Sequence, residues 1–292
     1  MLFGLVLLVL IPLAIGLGVG LDPRRHRSKS AWTATPSETA TTVIPGRLWR
    51  PLIVLSQPIV ASDVPTITPD VDVYDVDLFD TPPETIAALH ARGKHVVCYF
   101  SAGSYEAWRT DAARFDKGDL GSALRGWQGE NWVKTGSPTV RAVMISRIQL
   151  AVSKGCDAID PDNVDAYNNA NGLGLTTADA IDFVKFLAST AAGYNMSIGL
   201  KNAGDIIPSV LSSVDFSVNE QCAEYKECDK YAAFVKAGKP VFHIEYPGDA
   251  PNPSSSELDA ACNSSGTKGF STVIKKMSLD KWVQYCNDQK AN

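Results

Sequence analysis

From about residue 50 onward the chain alternates short apolar runs with stretches whose apolar residues recur every three to four positions. The runs Leu52–Leu55, Val71–Val76, His95–Phe100, Ala158–Ile159, Ser197–Leu200, Val214–Val218, Val241–Ile244 and Ser271–Ile274 predict strands. Predicted helices lie between them. Thr81-Pro-Pro-Glu84 reads as a capping box with proline in the first turn, Ile86 and Leu89 supply an apolar stripe, and Gly93 terminates it. Ser137-Pro138 opens the next, which carries Val140, Val143, Met144, Ile148 and Ala151 on one face and ends at Lys154-Gly155. Thr176 and Asp179 cap a third, with Ile181, Val184 and Leu187 on its apolar side and a stop near Gly193. Tyr231, Phe234 and Val235 mark a fourth, closed by Gly238.

Such alternation makes an α/β protein of parallel strands joined by helical crossovers, either a doubly wound open sheet or a closed eight-stranded barrel. The number of units fits one barrel of ordinary size, and no glycine-rich phosphate turn follows the first strand. A (β/α)8 TIM-type barrel is therefore expected, as a single domain over residues 47–292. Asn131–Thr135 offers one further strand.

Polar residues recur immediately behind the strands. Asp75 and Asp77 end the second run, Ser101 and Glu106 follow the third, and Asp160, Asp162 and Asn163 follow Ala158-Ile159, where Pro161 cannot donate to a sheet. Lys201-Asn202, Glu220 and Glu245-Tyr246 end the next three. In a barrel all these ends meet at one mouth. A core cannot accept so many unpaired acids, and few basic residues stand at strand ends to pair them. By placement, Asp162, Glu220 and Glu245 are the functional candidates. Asp165 and Glu106 read as loop acids or caps, and Asp75 stays open between the two. Lys201 reads either as a salt-bridge partner of one carboxylate or as a surface lysine.

Paired carboxylates without a metal signature suit glycoside cleavage, in which one protonates the leaving oxygen and the other attacks the anomeric carbon or activates water. Tyr99, Tyr105, Trp108, Trp127, Trp132, Tyr167, Tyr225 and Tyr246 lie near the same strand ends, where aromatic rings can stack on sugars. Other chemistries fit less well. Ala102-Gly103-Ser104 lacks the elbow of a serine hydrolase, and His243 reads as a core histidine. No cofactor and no metal are expected, since there is no C-x-x-C.

Composition alters this picture mainly at the N-terminus. Residues 1–20 carry no charge and suit a secretory signal or a single membrane anchor, with Arg24, Arg25, Arg27 and Lys29 just behind. Residues 21–46 form that basic flank and a Ser/Thr/Pro-rich linker. Residues 1–30 hold four basic residues and one acid, so removing them takes the formal charge from −5 to −8. That balance excludes nucleic acid as a partner and favours a cationic one. Six cysteines fit an exported protein, with Cys222 and Cys228 the first expected disulfide and Cys262 and Cys286 the next; Cys98 and Cys156 read as buried thiols. Asn195-Met-Ser197 and Asn263-Ser-Ser265 are glycosylation sequons.

The stretches Y-D-V-D-L-F-D (74–80), C-Y-F-S-A-G-S-Y-E (98–106), G-C-D-A-I-D-P-D-N-V-D-A-Y (155–167), G-L-K-N (199–202), V-N-E-Q-C (218–222) and I-E-Y (244–246) together carry a resemblance. The chain resembles glycoside hydrolase family 114, the endo-α-1,4-polygalactosaminidases, and among them the fungal membrane-anchored members. The departure from that pattern is Arg47–Ser56, where the family shows a Trp-Gln-rich first strand. The resemblance implies cleavage of internal α-1,4 bonds in galactosamine-containing polysaccharide, with Asp162 and Glu220 as the catalytic pair and Asp160 as the second choice. It makes Asp77, Tyr99, Asp160, Asn163, Lys201, Asn202, Glu245 and Tyr246 candidates for gripping sugar. Its implied partner is a cationic amino-sugar polysaccharide, which suits an acidic cleft. The expected protein is a monomer, secreted or tethered to the cell membrane only through its N-terminal segment with the catalytic domain outside. Two rivals remain at this stage: a hydrolase of the same family with another amino-sugar substrate, and a non-catalytic polysaccharide-binding barrel.

Overall fold

The computed structural model describes residues 53–55, 59–68 and 70–286. The apolar segment 1–20, the linker and most of the Arg47–Ser56 stretch lie outside these. In chain order the strands are β1 (Ile53–Leu55), β2 (Val73–Asp77), β3 (His95–Ser101), β4 (Ser104–Glu106), β5 (Leu120–Ala123), β6 (Glu130–Val133), β7 (Ala158–Asp162), β8 (Ser197–Lys201), β9 (Phe216–Glu220), β10 (Val241–Glu245), β11 (Ser271–Ile274) and β12 (Gln284–Tyr285). The helices are α1 (Pro83–Ala91), α2 (Pro138–Lys154), α3 (Thr177–Gly193), α4 (Ile207–Val210), α5 (Cys228–Lys236) and α6 (Ser255–Cys262).

Among the described residues eight strands pair parallel in the order β1-β2-β3-β7-β8-β9-β10-β11, and β12 adds antiparallel to β11. A helix crosses over between each successive parallel pair from β2 onward, as the alternation predicts. Side chains on a strand alternate between faces, and here the two faces have different partners. Tyr74, Val76, Cys98, Phe100, Ile159, Ile198 and Leu200 face outward into one large apolar cluster with the helices. Val73, Val97, Ala158, Phe216, Val218, Phe242, Ile244 and Val273 form a second cluster. These eight come from strands spread across the order, so one apolar filling lines the concave face of a curled sheet. That is the interior of a (β/α)8 TIM-type barrel.

The helix ends follow local rules in most places. Ser137 Oγ accepts the Thr139 N–H, and Gly155 closes α2 with φ of 88°. Thr176 and Asp179 form a full capping box. The box expected at Thr81–Glu84 does not form: α1 starts a residue later, behind Pro82, with no side-chain cap. Thr81 is buried there and its carbonyl accepts the Lys154 ammonium instead. The helix α6 is opened by a Ser254–Glu257 capping box. Asn131–Thr135 contributes to β6, but β6 belongs to a separate antiparallel sheet, β4-β6-β5, inserted between β3 and α2.

The cysteines correct one expectation. Cys222–Cys228 and Cys262–Cys286 are bonded as read, but Cys98 and Cys156 are bonded too rather than being free thiols. Cys98 faces outward from β3, and Cys156 stands where the chain leaves α2 for the adjacent β7, which brings their Cα atoms to 6.0 Å. This bond ties two central barrel strands across a separation of 58 residues. A Cys98→Ala, Cys156→Ala double variant is expected to lose roughly 2–5 kcal/mol of unfolding free energy. Equilibrium denaturation under oxidising conditions measures it, and an unchanged midpoint would show the bond to be absent in solution.

Candidate active site at the carboxyl ends of the strands

The strand register sets the site. Tyr99 pairs with Asp160 and Ser101 with Asp162 across β3 and β7. Asp160 and Asp162 share the inner face of β7 with Ala158, while Pro161 faces the helices. Lys201 and Glu220 end the inner faces of β8 and β9. Each of these three strands then leaves the sheet on a left-handed residue: Asn163 (φ 60°), Asn202 (φ 47°) and Gln221 (φ 61°). Asparagine tolerates that region better than most residues, so the chain turns away sharply and the functional group is the strand's last. Behind Asn163, Gly103 is required because the Asn163 carbonyl oxygen lies 1.7 Å from where a Cβ would sit.

Lys201 is the centre. Its Nζ lies 3.1 Å from Asp162 Oδ2 and 3.2 Å from Glu220 Oε2. The two carboxylate oxygens are therefore at most roughly 6.3 Å apart, the two lengths laid end to end, a spacing compatible with a shared sugar between them. Tyr99 OH donates to Asp162 Oδ2 at 3.2 Å, and the Asn163 backbone N–H donates to Asp162 Oδ1 at 2.7 Å. Tyr246 OH donates to Glu220 Oε1 at 2.5 Å. Asn202 donates to Glu220 Oε2 at 3.4 Å, and its Oδ1 accepts the Glu220 N–H at 2.8 Å. Burial works to lower the pKa of Lys201, but Asp162, Glu220 and Asp160 outweigh it and hold the ammonium above its usual range. Burial and then the Glu220 charge raise Tyr246, which stays a phenol and a donor.

Deeper in the barrel sit Asp75 and Asp160, each 1% exposed. Burial raises both, Asp160 to about 7. On the other side of Glu220 a cleft of about 180 Å³ opens, lined by Asp165, Asn202, Asp205, Glu220, Tyr225 and Glu227 among others. Burial, then the neighbouring Asp162 charge, raises Asp165 to about 6. It stands at the N-cap position of the short 3-10 turn Ala166–Asn168 but makes no side-chain capping hydrogen bond there.

The structure brings together Asp162, Glu220, Lys201, Tyr99, Asn202 and Tyr246, with Asn163 against Asp162. It places two other sugar-binding candidates elsewhere. Asp77 is locked by Arg109, whose Nη1 and Nη2 reach its oxygens at 3.0 and 2.5 Å, and by the N–H groups of Phe79 and Asp80. Its hydrogen-bonding capacity is committed to the fold. Glu245 alternates with the inward Ile244 and so points behind the strand, where Oε1 meets His243 Nε2 and the Ala223 N–H, both at 2.7 Å. It stands apart from the Lys201 cluster. Trp132 is buried against Leu124 and Ala166, and Tyr105 packs edge-on against Phe115, so neither offers a free ring face. Trp108, Trp127 and Tyr225 are exposed.

Sequence reasoning missed the arginines. Arg147 is 1% exposed and joins Asp111 at 2.9 Å through both Nε and Nη2, and its Nη1 reaches the Ser101 carbonyl. Arg109 joins Glu106 at 2.9 Å. Glu106, expected as a loop acid or cap, is 3% exposed, and burial raises it to about 7 against the pull of both arginines. The signal for Arg147 was its place on the apolar face of α2, one turn from Val143 and Met144. Cys222, Cys228 and His243 also converge, but the two sulfurs are spent in a disulfide and present no thiolate to a metal.

With the geometry in place, comparison with known proteins gives a consistent result. Residues 28–291 match Glycoside-hydrolase family GH114. The chain belongs to this family and is a glycosidase. The crystal structure of Aspergillus fumigatus Ega3 in complex with galactosamine is similar at 50% identity and a TM-score of 0.77, covering 85% of this chain and 100% of that one. The glycoside hydrolase domain of PelA from Pseudomonas aeruginosa shares the fold at 13% identity and a TM-score of 0.59, covering 80% of this chain and 98% of that one. An uncharacterised protein of Deinococcus radiodurans is 25% identical over 233 residues, 73% of this chain and 74% of its own.

The raised carboxyls have a consequence for stability. Asp160 and Glu106 at about 7 and Asp165 at about 6 hold protons that the unfolded chain has already released above about pH 4. Their contribution is complete below about pH 4, falls steadily as pH rises from there, and is gone above about 7, so they lower stability at neutral pH. Asp160→Asn removes one such share. Thermal melts from about pH 5 to about pH 8 are expected to fall less steeply for this variant than for the parent. Parallel curves would contradict the assignment.

Proposed function

We propose that the protein is an endo-acting hydrolase that cuts α-1,4-linked galactosamine in galactosaminogalactan-type polysaccharide, with Asp162 as nucleophile and Glu220 as acid/base. The observation that carries this reading is the meeting of both carboxylates on the single Lys201 ammonium. The galactosamine bound by Ega3, at 50% identity, supports the sugar. An acidic cleft beside Glu220 suits a polymer that bears ammonium groups.

In the first step Asp162 attacks the anomeric carbon while Glu220 gives its proton to the departing glycosidic oxygen. In the second, Glu220 takes a proton from water, the water oxygen bonds to the anomeric carbon, and Asp162 leaves. One negative charge moves from Asp162 to Glu220 and back. Lys201 is within 3.2 Å of both, so it can stabilise that charge at either end without moving. We read the product as retaining the α configuration. We also read the protein as monomeric, and as secreted or held at the cell surface by residues 1–20, a location that the three disulfides support.

Incubating the purified protein with partly deacetylated galactosaminogalactan is expected to release galactosamine oligomers, seen by mass spectrometry, with the α anomer forming first by NMR. Glu220→Gln is expected to lower kcat on the order of 10²–10⁴-fold, and Asp162→Asn at least as much. Release of oligomers only from another amino-sugar polymer would replace the substrate, and undiminished activity in both variants would remove the mechanism.

A further inference from the structure

Asp75 and Asp160 are not used by the mechanism above, and their surroundings are unusual. Both are inner-face residues: Asp75 stands level with Val97, and Asp160 with Tyr99 one step nearer the mouth. Neither Asp75 oxygen, nor Asp160 Oδ1, meets an N–H or O–H donor. What each carboxyl group feels most directly, after its burial, includes the other: the Asp160 charge raises Asp75, and Asp75 acts in turn on Asp160. Two ionised carboxylates in that position, buried and without a donor, are too costly to persist. One proton between them turns the repulsion into a short charge-assisted hydrogen bond.

We propose that Asp75 and Asp160 are a positioning pair for this active site, sharing one proton, whose single remaining negative charge holds Lys201 in place between Asp162 and Glu220. The proposal rests on the reading of Asp162 and Glu220 as the catalytic pair. The charged and titratable groups that face it are Asp162 on the same strand, Tyr99 on β3, Lys201 on β8 and Glu220 on β9. The neighbours below, Val73, Val97 and Ala158, are apolar and offer no other donor. With the proton in place, Lys201 faces one negative charge from beneath and the two catalytic carboxyls above. Loss of the proton adds a second negative charge beneath the ammonium and draws it inward, away from the sugar. Asp160 ionises at about 7 while burial and the Asp160 charge keep the Asp75 proton on well above the ordinary carboxyl range, so the pair carries its single charge at neutral pH and loses its last proton only in alkali.

The test uses the whole protein and two variants. Asp75→Asn keeps the shape and a donor to Asp160 but carries no titratable proton; Asp75→Leu keeps the volume and removes the hydrogen bond. Infrared difference spectra, parent minus Asp75→Asn at about pH 8, are expected to show the carbonyl stretch of an un-ionised carboxyl group, fading only as pH is raised further into alkali. On deacetylated galactosaminogalactan, Asp75→Leu is expected to lose about 10²-fold in kcat with KM little changed, as misplacement of a catalytic group does. Asp75→Asn is expected to recover most of that loss and to move the alkaline limb of the parent's pH profile upward. Absence of the infrared band overturns the shared proton. Equal losses in the two variants, or equal pH profiles in parent and Asp75→Asn, overturn the positioning role. If the parent itself fails on the polymer, the substrate reading above fails, while the infrared result still decides the proton.

Discussion

One buried ammonium organises this active site. Lys201 is 5% exposed, and taking such a charge out of water is costly unless counter-charges surround it. Asp162 and Glu220 do so, and they in turn are acids that the barrel interior would not otherwise accept. The three groups are mutually dependent: each makes the burial of the others tolerable. Because the ammonium belongs equally to two carboxylates, a charge passing between them in the double displacement we propose would meet the same stabilising partner at both ends. The tyrosines finish the arrangement, with Tyr99 donating to one acid and Tyr246 to the other.

The mouth is divided in two by its ion pairs. On the side of the inserted sheet, Arg109 and Arg147 hold Asp77, Glu106 and Asp111, and both guanidinium groups lie over the Phe79 ring. This half is dry and committed to structure. On the side beyond Glu220, Asp165, Asp205 and Glu227 line an open cleft, with Lys230 paired to the latter two at its rim. An acidic protein can therefore keep much of its negative charge satisfied inside one wall and present the remainder to a cationic ligand along the other.

The fold was largely legible because strand-and-helix alternation is a property of local periodicity, and all eight apolar runs coincide with barrel strands over most of their length. Strand ends were legible for the same reason: Asp162, Lys201 and Glu220 each close a strand whose apolar run is visible in the sequence. Two things were not. Asp77 and Glu245 also stand at strand ends, yet one is consumed by an arginine from a distant insertion and the other turns to the opposite face. Position along a strand does not report either event until the pleat and the long-range partner are known. The scarcity of bases at strand ends misleads on the same ground, since Arg109 and Arg147 reach the acids from outside the strands. Cys98 and Cys156 illustrate the complement, because a buried cysteine and a bonded one look alike in sequence when 58 residues separate them.

The left-handed residues behind the strands have a consequence for how such a site changes over time. Asp162-Asn163, Lys201-Asn202 and Glu220-Gln221 are couplets in which the first member is a group of the proposed site and the second supplies the bend that exposes it. A β-branched residue in the second place would leave every reactive atom present yet resist the turn, so the group would be carried on into the wall instead of ending at the opening. Drift at the amide-bearing partner is therefore as restrictive as drift at the acid. A search for kindred barrels gains discrimination by requiring both halves of each couplet.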